Sequence, residues 1–148
     1  MYKNILIATD GSDAASKAAE HGLELAKSLG ASVTFVIATE LWSSRHIATQ
    51  SAIGTVNPIE EFENAEDKWA SHVLNQAAEK AKKFGIACKI VQVKDLDPAN
   101  GIIDTAKNED CDLIIMGQHG LRSSHNKILG SKASEVLITS NIPVLIFK

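Results

Sequence analysis

The sequence predicts a doubly wound α/β fold: one domain over residues 1–148, with a five-stranded parallel sheet in the order 3-2-1-4-5 and helices on both faces. Three observations carry this expectation. Short apolar or β-branched runs alternate with stretches of helical periodicity, and such a succession returns each helix onto a parallel sheet through a right-handed crossover. Glycines fall where two helical stretches should stop, at Gly30 and Gly85. A length of 148 residues suffices for one buried core without disulfide or metal staples and leaves no room for a second domain.

Tyr2 to Thr9 reads as the first strand, because Ile5, Leu6, Ile7 and Ala8 form an apolar run closed by the turn signal Asp10-Gly11-Ser12. A helix follows, with Ala15, Ala18, Ala19, Leu23, Leu25, Ala26 and Leu29 at helical spacing. Val33 to Thr39 is rich in β-branched residues and gives the second strand. Periodicity then disappears from Leu41 to Asn57, a polar connection longer than the usual four to six or so residues and therefore a functional or mobile loop. Pro58 opens a long helix to Phe84, its apolar stripe made of Phe62, Trp69, Val73, Leu74, Ala77, Ala78 and Ala81. Ile86 to Lys94 is the third strand, Asp97-Pro98 starts a helix to about Asn108, and Asp112 to Met116 is the fourth strand. Ser131 to Thr139 is the last helix and Pro143 to Lys148 the fifth strand.

Composition narrows the function classes. Apolar residues at 45% and charged residues at 22% describe an ordinary soluble chain, and no run reaches the roughly 18 apolar residues of a membrane span. A net charge of −3 gives no general attraction to nucleic acid or anionic lipid, so neither is an expected partner. The opening MYKNILIATDGS lacks the longer apolar region and cleavage site of a signal peptide, which makes the cytoplasm the expected compartment. Cys88 and Cys111 form no C-x-x-C pair and read as small buried hydrophobes.

The most informative stretch is CDLIIMG, which opens into Gly117-x2-Gly120-x9-Gly130-Ser131 and then into a helix. Glycines let backbone approach a ligand, and amides at a helix start point at an anion together with the helix dipole. Ligands of open α/β sheets bind beyond the carboxyl ends of strands where the strand order reverses, here at the ends of strands one and four. Asp10 closes one of these strands and Gly117 the other. A P-loop needs G-x4-G-K-[ST], and a dinucleotide fingerprint needs G-x-G-x-x-G after strand one, where this chain has Asp10-Gly11-Ser12; neither is present. The residues alone thus point to an anion or nucleotide site at the strand-four switch point. His119 and His125 lie in the glycine loop without triad or H-x-x-x-H spacing, and His21, His46 and His72 do not converge, so no catalytic or metal site is read from them. Lys132 follows Ser131 in the first helical turn, a poor place for a cation unless an anion is near.

At these residues the chain resembles the universal stress protein family over essentially its whole length, through ILIATDGS, GASVTFV, DPANGIIDTAKNEDCDLIIMG and the GQHG, LGSKASEVL and IPVLIFK segments. Gly117, Gly120, Gly130 and Ser131 match, without gaps, the glycine signature of the members that bind ATP. The resemblance implies ATP with Mg²⁺ as ligand. Gly117 and Gly120 would wrap the ribose and phosphates, and Gly130, Ser131 and Lys132 would contact phosphate. Asp10 would stand by the ribose and the metal-phosphate group. Ala8, Thr9 and Ala38 would flank the site and the adenine, with Met116 in apolar contact. Asp10 also suits a turn or a helix N-cap, Met116 plain core, and Trp42 either a base cover or a loop anchor. Gln118 and His119 fill a turn where many relatives carry Ser or Arg, and Asp95-Leu96-Asp97-Pro98 lacks a glycine common in the family. The implied function is a nucleotide-dependent stress-response module. No activated base or arginine finger is recognisable, so hydrolysis would be slow at most. The alternatives are a signalling member that dimerises without ATP and a small nucleotide-using enzyme. A homodimer is expected through Pro143 to Lys148, a short apolar edge strand.

Overall fold

The computed structural model describes residues 1–40, 57–95, 97–120 and 129–148, together with Ala52 and Gly54. Most of the connection read between Leu41 and Asn57, with Trp42 and His46, and the loop residue His125 lie outside the described residues. The elements run β1 (Asn4–Ala8), α1 (Asp13–Leu29), β2 (Ser32–Glu40), α2 (Pro58–Phe84), β3 (Cys88–Asp95), α3 (Pro98–Asn108), β4 (Leu113–Gly117), α4 (Ser131–Thr139) and β5 (Val144–Phe147). The five strands form one sheet in the order β3-β2-β1-β4-β5, and every pairing is parallel. This is the α/β architecture that the alternation of patterns predicts.

The last three helices keep the predicted bounds, and α2 and α3 carry their own punctuation. Pro58 stands in the first turn of α2 and Glu60 and Glu61 face its positive end, while Gly85 (φ 72°) turns its N–H back to Ala81 and Lys82. Asp97 caps α3 by accepting from the Ala99 N–H. Strand ends move by one or two residues. Tyr2 and Lys3 lie before the β1 ladder because the Asp112 carboxylate accepts the N–H groups of Lys3 (2.8 Å) and Asn4 (3.2 Å). Asp112 therefore ties β1 to β4 with its side chain beside its own N–H, which donates to the Asn4 carbonyl at 2.8 Å, and β4 itself runs from Leu113 to Gly117.

Period-two alternation divides the sheet between two cores. Ile5, Ile7, Val33, Phe35, Ile37, Leu113 and Ile115 face α1 and α2, against Ala18, Leu23, Ala70, Leu74 and Ala81. Leu6, Ala8, Val36, Ile114 and Met116 face α3 and α4, against Ala99, Ile102, Ile103, Ala133 and Val136. The small alanines of α1 and α2 let the helices lie close on the sheet. Gly22 is the extreme case, where a methyl group would stand 2.6 Å from Ile7 Cδ1. Both cores converge on β1 and β4, the central pair whose carboxyl ends carry the residues considered next.

Candidate functional site

At the end of β1 the chain leaves the sheet in a tight turn. Thr9 keeps one ladder bond, its N–H to the Val36 carbonyl at 2.9 Å. Gly11 then takes a left-handed conformation (φ 75°), which a glycine adopts without Cβ strain. Asp10 Oδ1 accepts the Ser12 N–H at 3.0 Å, and Ser12 Oγ accepts the Ala15 N–H at 3.2 Å. Ser12, not Asp10, is thus the cap of α1. Asp10 acts in the turn with one carboxylate oxygen, and its other oxygen points across to the glycine loop: a methyl group on Gly120 would lie 2.6 Å from Asp10 Oδ2.

The three glycines that follow β4 have different reasons to be glycine. Gly117 ends the strand beneath the first turn of α1, where a Cβ would stand 2.9 Å from the Ala14 carbonyl carbon. Helix packing alone excludes a side chain there. Gly120 makes room for Asp10. Gly130 closes the loop: its N–H donates to the Gln118 carbonyl at 2.9 Å, and a Cβ would lie 3.0 Å from that same oxygen. Gln118 in turn donates its N–H to the Phe147 carbonyl at 2.7 Å, so both ends of the loop are fastened to the edge of the sheet.

Gly130 is the N-cap of α4, and as a glycine it offers no side-chain acceptor to the first amides; no acidic residue stands in the first turn. The other helix starts are served differently. Ser12 caps α1 with Asp13 beside it, Glu60 and Glu61 neutralise the α2 end, and Asp97 caps α3. Ser131 and Lys132 are exposed at the start of α4, next to the fastened loop. This end carries the dipole's partial positive charge with a cation beside it, an arrangement suited to an anion.

The remaining predicted residues fall into two groups. Ala8, Thr9 and Met116 are buried, Met116 within the core shared by α3 and α4, and Ala38 is half-buried on β2 beside Val93 of β3. The structure therefore gathers Thr9, Asp10, Gly117, Gly120, Gly130 and Ser131 at the carboxyl ends of β1 and β4, with Ala8 and Met116 beneath them. Asp97 directs one oxygen to Ala99 N–H and the other to Asn100 Nδ2, so its charge serves α3. His119 is half-buried in the loop, and its Nδ1 is buried without a hydrogen-bond partner among the described residues. His21 lies elsewhere, stacked on Phe147 at 4.0 Å between ring centroids, and His72 stands on the outer face of α2.

Sequence reasoning missed the contribution of α2. A methyl group on Gly11 would meet Val73 Cγ2 at 3.0 Å and Trp69 Cζ2 at 3.4 Å, so this helix backs the Asp10 turn. The stripe that contains Trp69 and Val73 was legible, but no spacing tells which core residues support a site. Burial pushes the Cys88 and Cys111 thiols up, as expected of thiols held in the fold. Among the described residues no group of three or more His, Cys, Asp or Glu side chains could hold a metal ion. Among them, too, no helix is long and apolar enough to cross a membrane.

A doubly wound parallel sheet, with the start of α4 beside its switch point, defines the class of open α/β proteins, in which ligands bind at the carboxyl ends of the strands. The sequence matches the universal stress protein family over residues 1–148, and the chain belongs to that family. It is 30% identical to universal stress protein YxiE of Bacillus subtilis, with all of both chains covered. It is 32% identical to universal stress protein MJ0577 of Methanocaldococcus jannaschii, covering all of this chain and 96% of that one. The universal stress protein UspA from Lactobacillus plantarum superposes with a TM-score of 0.84 at 25% identity, over 99% of this chain and 98% of that one. Two more distant members share the fold: one was solved in complex with cAMP (TM-score 0.70, 21% identity, 99% and 97% covered), and one from Archaeoglobus fulgidus in complex with dAMP (TM-score 0.67, 23% identity, 99% and 98% covered).

Proposed function

We propose that this chain is an ATP-binding universal stress protein, a nucleotide-dependent stress-response module that hydrolyses ATP slowly at most. The observation that carries the reading is the start of α4. Its glycine cap and acid-free first turn stand with Ser131 and Lys132 at the end of a loop that Gly130 and Gln118 fasten beside Asp10 and Gly120. Amides and hydroxyl there suit phosphate oxygens, and Lys132 adds a cation. The complexes of relatives with cAMP and dAMP favour an adenine nucleotide. Asp10 is the carboxylate that would hydrogen-bond a ribose or help hold Mg²⁺, whose charge would offset that of the phosphates. Ala8, Thr9, Ala38 and Met116 would line the nucleoside side. No catalytic residue is assigned.

The same reading includes a homodimer through β5. The two sheet edges differ in kind: β3 carries Lys89 and Lys94, paired with Glu109 and Asp67, the sort of charge that blunts an edge. β5 is uncharged, and Leu145 on it and Leu137 and Ile138 on α4 are exposed. An apolar, unguarded edge suits a second copy of the chain.

Calorimetry on nucleotide-stripped protein with ATP, ADP, AMP and FMN plus Mg²⁺ tests the nucleotide reading, beside Ser131→Asp. Aspartate in the first turn favours the helix and repels phosphate. The native chain is expected to bind ATP in the micromolar range, and the variant to lose at least about tenfold in affinity while unfolding at the same or a higher temperature. Absence of nucleotide binding by the native chain overturns the reading.

A further inference from the structure

We propose that Trp69 is a positioning residue of this site, holding the Asp10 carboxylate forward against the glycine loop and changing its own surroundings when nucleotide binds. The inference rests on the nucleotide reading above and adds to it a residue on a different layer of the fold.

Two side-chain bonds within the Asp10 turn, Gly11 N–H to Thr9 Oγ1 at 3.4 Å and Ser12 N–H to Asp10 Oδ1 at 3.0 Å, fix the turn relative to itself. Thr9 attaches its near end to β2 and Ser12 its far end to α1. Between these anchors Gly11 sits in a left-handed conformation whose outer side is closed by α2, through Val73 and Trp69. On the opposite side the Asp10 Oδ2 atom fills the space over Gly120. The turn thus lies between α2, with Val73 nearest and the Trp69 indole next to it, and the signature loop.

The indole suits this role. It is a rigid plate, half-buried against the α1–α2 core, and cannot yield as a flexible side chain would. Truncating it removes one of the two α2 side chains behind Gly11, with Val73 left in place, and lets the turn settle toward α2, which draws the carboxylate away from Gly120. Binding groups must be held within about 0.5 Å of their productive geometry, so a shift of this kind lowers affinity without removing any ligand contact. Conversely, a ligand that engages Asp10 loads the turn against Trp69.

The chain has two tryptophans, Trp42 and Trp69, so a Trp42→Phe background makes Trp69 the sole indole emitter. In that full-length protein, Mg-ATP is titrated while emission is recorded, and heat is measured in parallel. The expected result is a saturable change in intensity or wavelength that follows the calorimetric isotherm. Trp69→Ala, in the native background, is expected to bind Mg-ATP about tenfold more weakly, and Trp69→Phe, which keeps an aromatic plate, within about twofold of native. Heat without any change of emission overturns the proposal, as does a folded Trp69→Ala with native affinity; in both cases the nucleotide reading stands. The emission arm needs no destabilising substitution at Trp69, so it decides even if Trp69→Ala fails to fold. Absence of heat with native protein overturns the nucleotide reading itself, and the proposal with it.

Discussion

Asp10 and Gly120, on different strands' ends and far apart in the chain, share one small space: a methyl group at 120 would lie 2.6 Å from Asp10 Oδ2. The contact is with the tip of a side chain, which can swing aside. At Gly117 the obstacle is the Ala14 carbonyl carbon at 2.9 Å, part of a helix that cannot.

These two glycines are therefore expected to separate fold from function. Gly117→Ala should cost about 1–3 kcal/mol, as overpacking against fixed backbone does. Gly120→Ala should change stability by less than about 0.5 kcal/mol, yet weaken Mg-ATP binding by displacing the carboxylate. Urea unfolding and calorimetry on both proteins measure the two quantities, and equal destabilisation by the two substitutions would contradict this account.

Much of this was legible beforehand, and the reason lies in particular residues. Pro58, Gly85 and Asp97-Pro98 carry their meaning locally, so helix bounds followed from them. Strand ends did not, because Asp112 adds a side-chain clamp on Lys3 and Asn4 to its backbone bond there, a contact over a hundred residues apart in sequence. The glycine spacing located the loop but could not reveal that Gly117 answers to α1, Gly120 to Asp10 and Gly130 to Gln118. The support that Trp69 and Val73 give to Gly11 was invisible for the same reason: it is a relation between elements, and periodicity describes only one element at a time.

The edge at β5 allows a prediction from backbone direction alone. Pro143 and Phe147 turn their carbonyls to Ile114 of β4 and to Gln118 just past its end, so in a parallel strand the N–H groups of Val144 and Ile146 point outward. Val144→Pro removes an outward donor and leaves the β4 ladder intact, at a first-in-strand position that tolerates proline. Sedimentation at tens of micromolar or so should show a native dimer and a folded monomeric variant. A dimer of unchanged strength in the variant would place the interface elsewhere.

The ion pair between Lys94 and Asp67, at 2.8 Å, ties β3 to α2. A hydrogen bond from Lys94 holds the Asp67 carboxyl below its usual 3.8, and the same bond holds Lys94 above its usual 10.5. A depressed acid stabilises the fold above its unfolded value and loses that contribution as pH falls through the folded value; a raised amine loses its contribution as pH rises through its own. The pair thus acts throughout the neutral range. With side chains 36% and 43% exposed, solvent screening limits it to under about 1 kcal/mol. Lys94→Met should be less stable than native protein at pH 6, and the gap should close as pH falls below 3.8, as read from urea midpoints. A gap that persists undiminished at pH 3 would assign the loss to packing.

His119 offers a test of the loop's interior. Its Nδ1 is buried and meets no hydrogen-bond partner among the described residues, and a buried polar atom left so costs about 1–3 kcal/mol relative to a satisfied or solvated one. An apolar side chain of comparable reach avoids that cost, because it brings no atom that needs a partner. His119→Leu, in nucleotide-free protein, is therefore expected to keep native stability or to gain about 1 kcal/mol, against the usual trend for substitution at a half-buried position. Urea unfolding followed by circular dichroism measures the difference. A loss of more than about 1 kcal/mol would contradict this account and mean that the imidazole is held by a hydrogen bond or by packing that leucine does not reproduce.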